Sequence, residues 1–123
     1  MDHPTEEWRN LFSGERALVD ALLAHDFPGR DAIAEQVREA KERMRDVPVL
    51  QFRVGGHQEA DVRFRVPVEA ECSDVDGITI PVLLFVSEGV VQEIEFYKDD
   101  GSPFVIPKAE DLRKFFIPTS ITN

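Results

Sequence analysis

Cysteine is almost absent. Cys72 stands alone in 123 residues, so no internal disulfide can form and a reducing compartment, the cytoplasm, is expected. No apolar run approaches the ~20 residues of a membrane span, and the opening Met1–Glu7 is acidic, so neither a membrane segment nor a secretory signal is expected. Bases are scarce: 14 Lys and Arg stand against 24 Asp and Glu, a formal charge of −10. A division at Pro48 leaves −4 before it and −6 after, so the excess acid is spread rather than held in a tail. Such a chain repels phosphate backbones and anionic lipid, which argues against nucleic acid and membrane as partners and permits a basic protein. Histidine is rare too. His3, His25 and His57 have no ligand spacing, so no metal is expected. Serine elbow, phosphate loop, dinucleotide fingerprint and zincin motif are all missing, which leaves no catalytic residue and no cofactor to name.

What is present reads as one α+β domain over residues 1–123, with 1–13 and 117–123 more loosely attached. Thr5 with Glu6 and Glu7 opens a short helix to about Phe12. Ser13 opens a second, with Ala17, Leu18, Ala21 and Leu22 on its apolar face, which ends before Pro28-Gly29. A third runs from Arg30 to about Arg45. It has Ile33, Ala34, Val37, Ala40 and Met44 on one side and a solvated face of Glu35, Arg38, Glu39, Glu42 and Arg43; its last turn is open to an extended reading.

From Val49 the period becomes two. Val49–Val54 is a strand, and Gly55-Gly56 a turn into Val62–Cys72, where Val62, Phe64, Val66, Val68, Ala70 and Cys72 alternate with polar residues. Pro67 places that strand at an edge or a bulge. Asp74-Val75-Asp76-Gly77 begins like a calcium loop but lacks an acid at the twelfth position, Phe85, and reads as a turn. Ile78–Val86 and Val90–Tyr97 form the next hairpin. A two-residue loop at Glu88-Gly89 would turn Glu93 and Glu95 toward the core. A three-residue loop pairs Val86 with Val90 and Val82 with Ile94, and is the expected register, with Gln92 as its one inward polar residue. Phe104–Ile106 is a short strand, and Lys108–Phe116 a short C-terminal helix. The expected architecture is two or three N-terminal helices on one face of a 4–5 stranded antiparallel meander, a cystatin-like roll by analogy.

The sheet face turned away from the helices carries Arg63, Arg65, Glu69, Glu71, Leu83, Phe85, Val91, Glu93, Glu95 and Tyr97, an apolar centre with a charged rim. The expectation is a non-catalytic binding module that uses this face for a homodimer or a protein partner, with an immunity-type protein against a basic toxin as one version. The alternative is a small-ligand binder or enzyme with a pocket between curved sheet and helices. Glu69, Glu71, Glu93 and Glu95 read more simply as an exposed polar face than as a catalytic cluster, and Cys72 as a core residue.

The stretches Glu15–Leu23 with Phe27-Pro28-Gly29-Arg30, Val66–Glu71 with Asp76-Gly77-Ile78, and Ile94–Pro103 resemble a group of small bacterial proteins of unknown function, over about residues 15–106. The resemblance implies no activity and no site residues. Ten Arg against four Lys also fits a GC-rich bacterial genome.

Overall fold

The computed structural model describes residues 8–44, 48–55 and 59–118. The order is β1 (Arg9–Asn10), α1 (Ser13–Leu23), α2 (Arg30–Arg38), β2 (Lys41–Met44), β3 (Val49–Arg53), β4 (Val68–Ser73), β5 (Thr79–Ser87), β6 (Val90–Phe96), a 3-10 turn at Ala109–Asp111, and β7 (Arg113–Phe116). The seven strands form one antiparallel sheet in the order β1-β2-β3-β6-β5-β4-β7. The class is α+β, with two helices and more strands than expected. The meander is broken: β3 pairs with β6, so a three-stranded unit, β1-β2-β3, and a four-stranded one, β6-β5-β4-β7, meet along that seam.

The helix expected to end at Phe12 is not formed over its described part. Arg9 and Asn10 pair with Glu42 and Lys41 as strand, while Thr5–Glu7 lie outside the described residues. The helix expected to reach Arg45 stops at Arg38, and Lys41–Met44 pair with Leu50–Arg53 instead. Lys, Glu, Arg and Met are good helix formers, so a non-local ladder here overrides local propensity. It also moves Glu42 from the expected solvated face to full burial. Strand β4 begins only at Val68, because Pro67 offers no N–H to the ladder; it is an inner strand, flanked by β5 and β7. Phe104–Ile106 pairs with nothing as strand, and the expected C-terminal helix is the 3-10 turn followed by β7.

One face of the sheet carries the core. Leu50 and Phe52, Val68 and Ala70, Val82, Leu84 and Val86, and Ile94 and Phe96 pack against Leu18, Val19 and Leu22 of α1 and Ile33 and Val37 of α2. Cys72 is free and buried. Gly29, at the start of α2, has φ 89°, and a Cβ there would lie 2.8 Å from Val62 Cγ1, so both its conformation and its close approach require glycine.

The β5–β6 register differs from expectation. Ser87 pairs with Val90 and Val86 with Val91 across a two-residue Glu88-Gly89 turn, both residues having positive φ (52° and 78°). The pairing then shifts by one residue, so Phe85 meets Glu93 and Leu84 meets Ile94. This bulge turns Glu93 and Glu95 outward despite the tight turn, buries Val91 and exposes Gln92, the reverse of the expected pair. A bulge leaves backbone groups without ladder partners, and α2 supplies one. Gln36 Oε1 accepts from Val91 N (2.8 Å), and Gln36 Nε2 donates to Gly89 O (2.8 Å). Gln36→Ala should therefore cost about 1–3 kcal/mol in urea denaturation, the range for stranding a buried backbone donor, with Gln36→Glu no better. A loss below the scatter of surface substitutions would contradict this role.

Candidate functional site

Both helices lie on the core face, and among the described residues none crosses the opposite one. Two cross-strand rows lie on this open face. One runs Arg43, Gln51, Glu93, Phe85; the next runs Val49, Glu95, Leu83, Glu69, Phe116. A polar chain joins three strands of the first row. Arg43 Nε donates to Gln51 Oε1 (2.9 Å), the Gln51 side chain bonds Glu93, and Glu93 shares a hydrogen bond with Glu95. Partial burial, Glu95's hydrogen bond and Glu95's charge push the Glu93 carboxyl up to about 7, against the pull of Gln51 and Arg65. Trp8 extends this face past β2, with the Arg43 guanidinium 4.5 Å and that of Arg53 5.9 Å from its ring. At the other end Arg65 sits 5.6 Å over Phe85.

Of the residues expected here, Glu69, Glu71, Leu83, Phe85, Glu93 and Glu95 take outward strand positions, exposed Tyr97 follows the end of β6, and Arg65 reaches the face through Phe85. Arg63 is exposed in the irregular segment before β4. Val91 does not belong: the bulge turns it into the core, 1% exposed, which removes it from the interface. The four glutamates do not converge. Glu93 and Glu95 are neighbours, but Leu83 stands between Glu95 and Glu69, and Glu71 lies opposite Pro81. Trp8, Arg43, Gln51 and Arg53 were not foreseen on this face. Trp8 and Arg43 fall in stretches whose sequence reads as helix, the second open to an extended reading in its last turn, and Gln51 and Arg53 in a strand whose place in the sheet the sequence does not give.

A family described as a domain of unknown function, DUF6984, matches residues 8–107. The chain belongs to the DUF6984 family. Its matched region begins at Trp8 and includes every open-face residue named above except Phe116. No curated protein and no solved structure matches the chain. No helix of this DUF6984 protein is long and apolar enough to cross a membrane, and among the described residues no three His, Cys, Asp or Glu group to hold a metal ion.

Away from the open face, two charge clusters have structural explanations. The ammonium of Lys98, 4% exposed in its side chain, bonds Asp74 Oδ2 (2.8 Å) and Asp76 Oδ2 (2.6 Å). It fills with a side chain the place that a cation takes in the calcium loop this turn resembles. Lys98's hydrogen bonds hold both aspartates below the usual carboxylate range, and theirs hold the lysine above its own. His25 packs its ring on Phe115 (centroids 4.1 Å apart) and so belongs to the contact with β7. His3 and His57 lie outside the described residues.

The second cluster is Glu42, wholly buried beneath the start of α1. Arg9 Nη2 lies 3.2 Å from its Oε2 and 3.3 Å from Glu15 Oε2, while Glu15 Oε1 accepts from Phe12 N and caps α1. Burial, then the bond to Glu15 and its charge, push Glu42 up to about 8, so near neutrality Glu42 keeps a proton and shares it in the hydrogen bond to Glu15. The folded chain therefore keeps a proton that the unfolded chain releases near 4.5. That stabilisation is full below 4.5 and is lost as pH rises through about 8. Between about pH 5 and pH 8.5, denaturation should show wild type losing on the order of 3 kcal/mol relative to Glu42→Gln, whose neutral amide holds the same place. Parallel stability curves for the two proteins would refute the shared proton.

Proposed function

We propose that this DUF6984 protein is a non-catalytic cytoplasmic interaction module that binds protein through the open face of its sheet. One observation carries the reading. In the centre of that face Leu83 and Phe85 of β5 stand among guanidinium and carboxylate groups, with exposed Tyr97 and Phe116 (each 49% exposed) farther out and no helix overlying them among the described residues. Apolar centre and charged rim are the anatomy of protein recognition surfaces. Trp8 and Tyr97, with Arg43 and Arg53, are of the residue types that dominate binding energy at such surfaces. The −10 charge suits a basic partner, as an immunity-type protein would need, and equally suits solubility.

A small ligand or substrate held between sheet and helices is the competing reading. The packing argues against it, since Leu, Val, Ile and Phe side chains fill that space and the two buried polar residues there, Gln36 and Glu42, are engaged in structural bonds. A cleft of about 490 Å³ is lined by residues of α1 and α2, with Arg16, Arg30 and Arg38 beside Asp20 and Asp31.

A photo-crosslinking residue at Leu83 tests the proposal in cells that naturally make the protein. It should yield a discrete adduct with protein, either this chain or another. The same probe at Val105, off the face and 83% exposed, should not. Equal labelling at the two positions, or none at either, overturns the reading.

A further inference from the structure

We infer that the buried Arg9–Glu15–Glu42 cluster is a proton-controlled latch on the edge of the sheet. With the proton in place it holds β1 on β2; its loss lets Trp8–Asn10 lift away about a hinge at Leu11, and takes the Trp8 ring off the open face. The inference concerns how that face is presented and does not depend on what binds it.

The latch is built from a short edge strand tied by one side chain. β1 is the outermost strand on its side of the sheet and has two residue pairs, Arg9 with Glu42 and Asn10 with Lys41. The Arg9 guanidinium lies 3.2 Å from Glu42, 3.3 Å from Glu15 and 4.4 Å over the Phe12 ring. Its Nε is buried and bonds nothing among the described residues, so the tie is not saturated. Lys41 adds a bond to the Asn10 side chain, and Trp8 adds its stacking on Arg43 and Arg53. The next residue, Leu11, is buried in the core with α1, so a separation of β1 from β2 stops there.

The charged groups that face Glu42 are Arg9 from β1 and Glu15 from α1. From β3 it meets Phe52, and at the start of α1 the Phe12 backbone. With the proton on Glu42, one carboxylate faces one guanidinium and the cluster is neutral. Without it, two carboxylates face that guanidinium beyond the reach of water. Even beside Arg9 the Glu42 anion is worse placed here than in water, which is why its carboxyl rises to about 8. Water reaches it either when the whole chain unfolds or when the nearest edge opens. Unfolding gives up the core, whereas the edge gives up two residue pairs and one ion-pair cluster, so the edge opens first. The effect crosses the sheet, because Trp8 precedes Arg9 in the chain and its ring leaves Arg43 and Arg53 when β1 lifts. A proton held on the core side thereby sets whether this end of the open face presents an aromatic ring or two guanidinium groups.

The experiment is amide hydrogen exchange on the full chain from pH 5.5 to pH 9, with the intrinsic chemical rate divided out to give the opening constant of each amide. For amides protected across β1 and β2 the wild-type constant should rise tenfold per pH unit, on the order of a hundredfold from pH 5.5 to pH 7.5, and level off above about pH 8. In Glu42→Gln it should not change with pH. Throughout, the amides of Leu84 and Ile94 in the core should show constants at least tenfold smaller. Trp8→Ala removes the stacking and should raise the β1–β2 constant about two- to fivefold at every pH with the same slope. If Glu42→Gln does not fold, Glu15→Gln replaces it: without the charge of Glu15, Glu42 gives up its proton more readily and the levelling off moves below pH 8. A wild-type constant independent of pH overturns the latch, as does an unaltered profile in the carboxylate variant. Exchange across β1 and β2 no faster than at Leu84 and Ile94 overturns it too, since global unfolding then accounts for the slope. A β1–β2 constant indifferent to Trp8→Ala overturns the departure of Trp8 with the strand.

Discussion

The β5–β6 hairpin can bury its apolar residues only if one residue is taken out of register, and the open face depends on how that is done. A two-residue turn at Glu88-Gly89 by itself sends Glu93 and Glu95 to the core side. Two carboxylates there would face Leu84 and Val82 with no water, at a cost that excludes the arrangement. The bulge at Val91-Gln92 reverses the faces beyond it, and Gln36 makes the bulge tolerable by bonding two backbone groups leading into it, Gly89 O and Val91 N. A glutamine of a helix on one face of the sheet thereby determines which charges appear on the other.

The parts of the fold that were legible are those where a local signal and the tertiary solution agree. Helix α1 starts at Ser13 as its apolar spacing predicts, and the alternations in β5 and β6 give the correct inward residues at Val82, Leu84, Ile94 and Phe96. The turn at Asp74–Gly77 is a turn, with Lys98 rather than a metal between its acids. Where long-range pairing decides, the local signal misleads. Lys41–Met44 continues the composition of α2, and only β3, which follows in the chain, and Arg9, more than thirty residues earlier, make it a strand that buries Glu42. Val91 and Gln92 exchange faces because a bulge has no signature in an alternation this short. Phe115 and Phe116 point to opposite sides of β7, toward His25 and toward Glu69's row, a pattern that four residues cannot distinguish from the end of a helix.

Acid excess shapes the interior as well as the surface. With 14 bases for 24 acids, carboxylates brought together by the fold cannot all be matched by cations. The described structure uses two remedies. At the β4–β5 turn one lysine serves two aspartates, and both stay ionised. At Glu15–Glu42 and Glu93–Glu95 a proton does the work of the missing base, at sites where burial already favours the neutral acid. The difference follows from position. The aspartates sit on a turn that water reaches, whereas Glu42 lies under a helix and Glu93 lies between strands.

The make-up of the open face follows chain order. β1, β2 and β3 come from the segment up to Arg53 and β4, β5 and β6 from the segment after Pro67, and each set is consecutive in the sheet. The first set contributes bases outward because its one inward acid, Glu42, is the residue that Arg9 and Glu15 accommodate. The second set contributes Glu93 and Glu95 outward because the bulge keeps them out of the core, and sets Glu69 and Glu71 of β4 beside Arg113 and Lys114 of β7. The seam between them is bridged by Arg43, Gln51 and Glu93, so base and acid meet at the line where the two sets join.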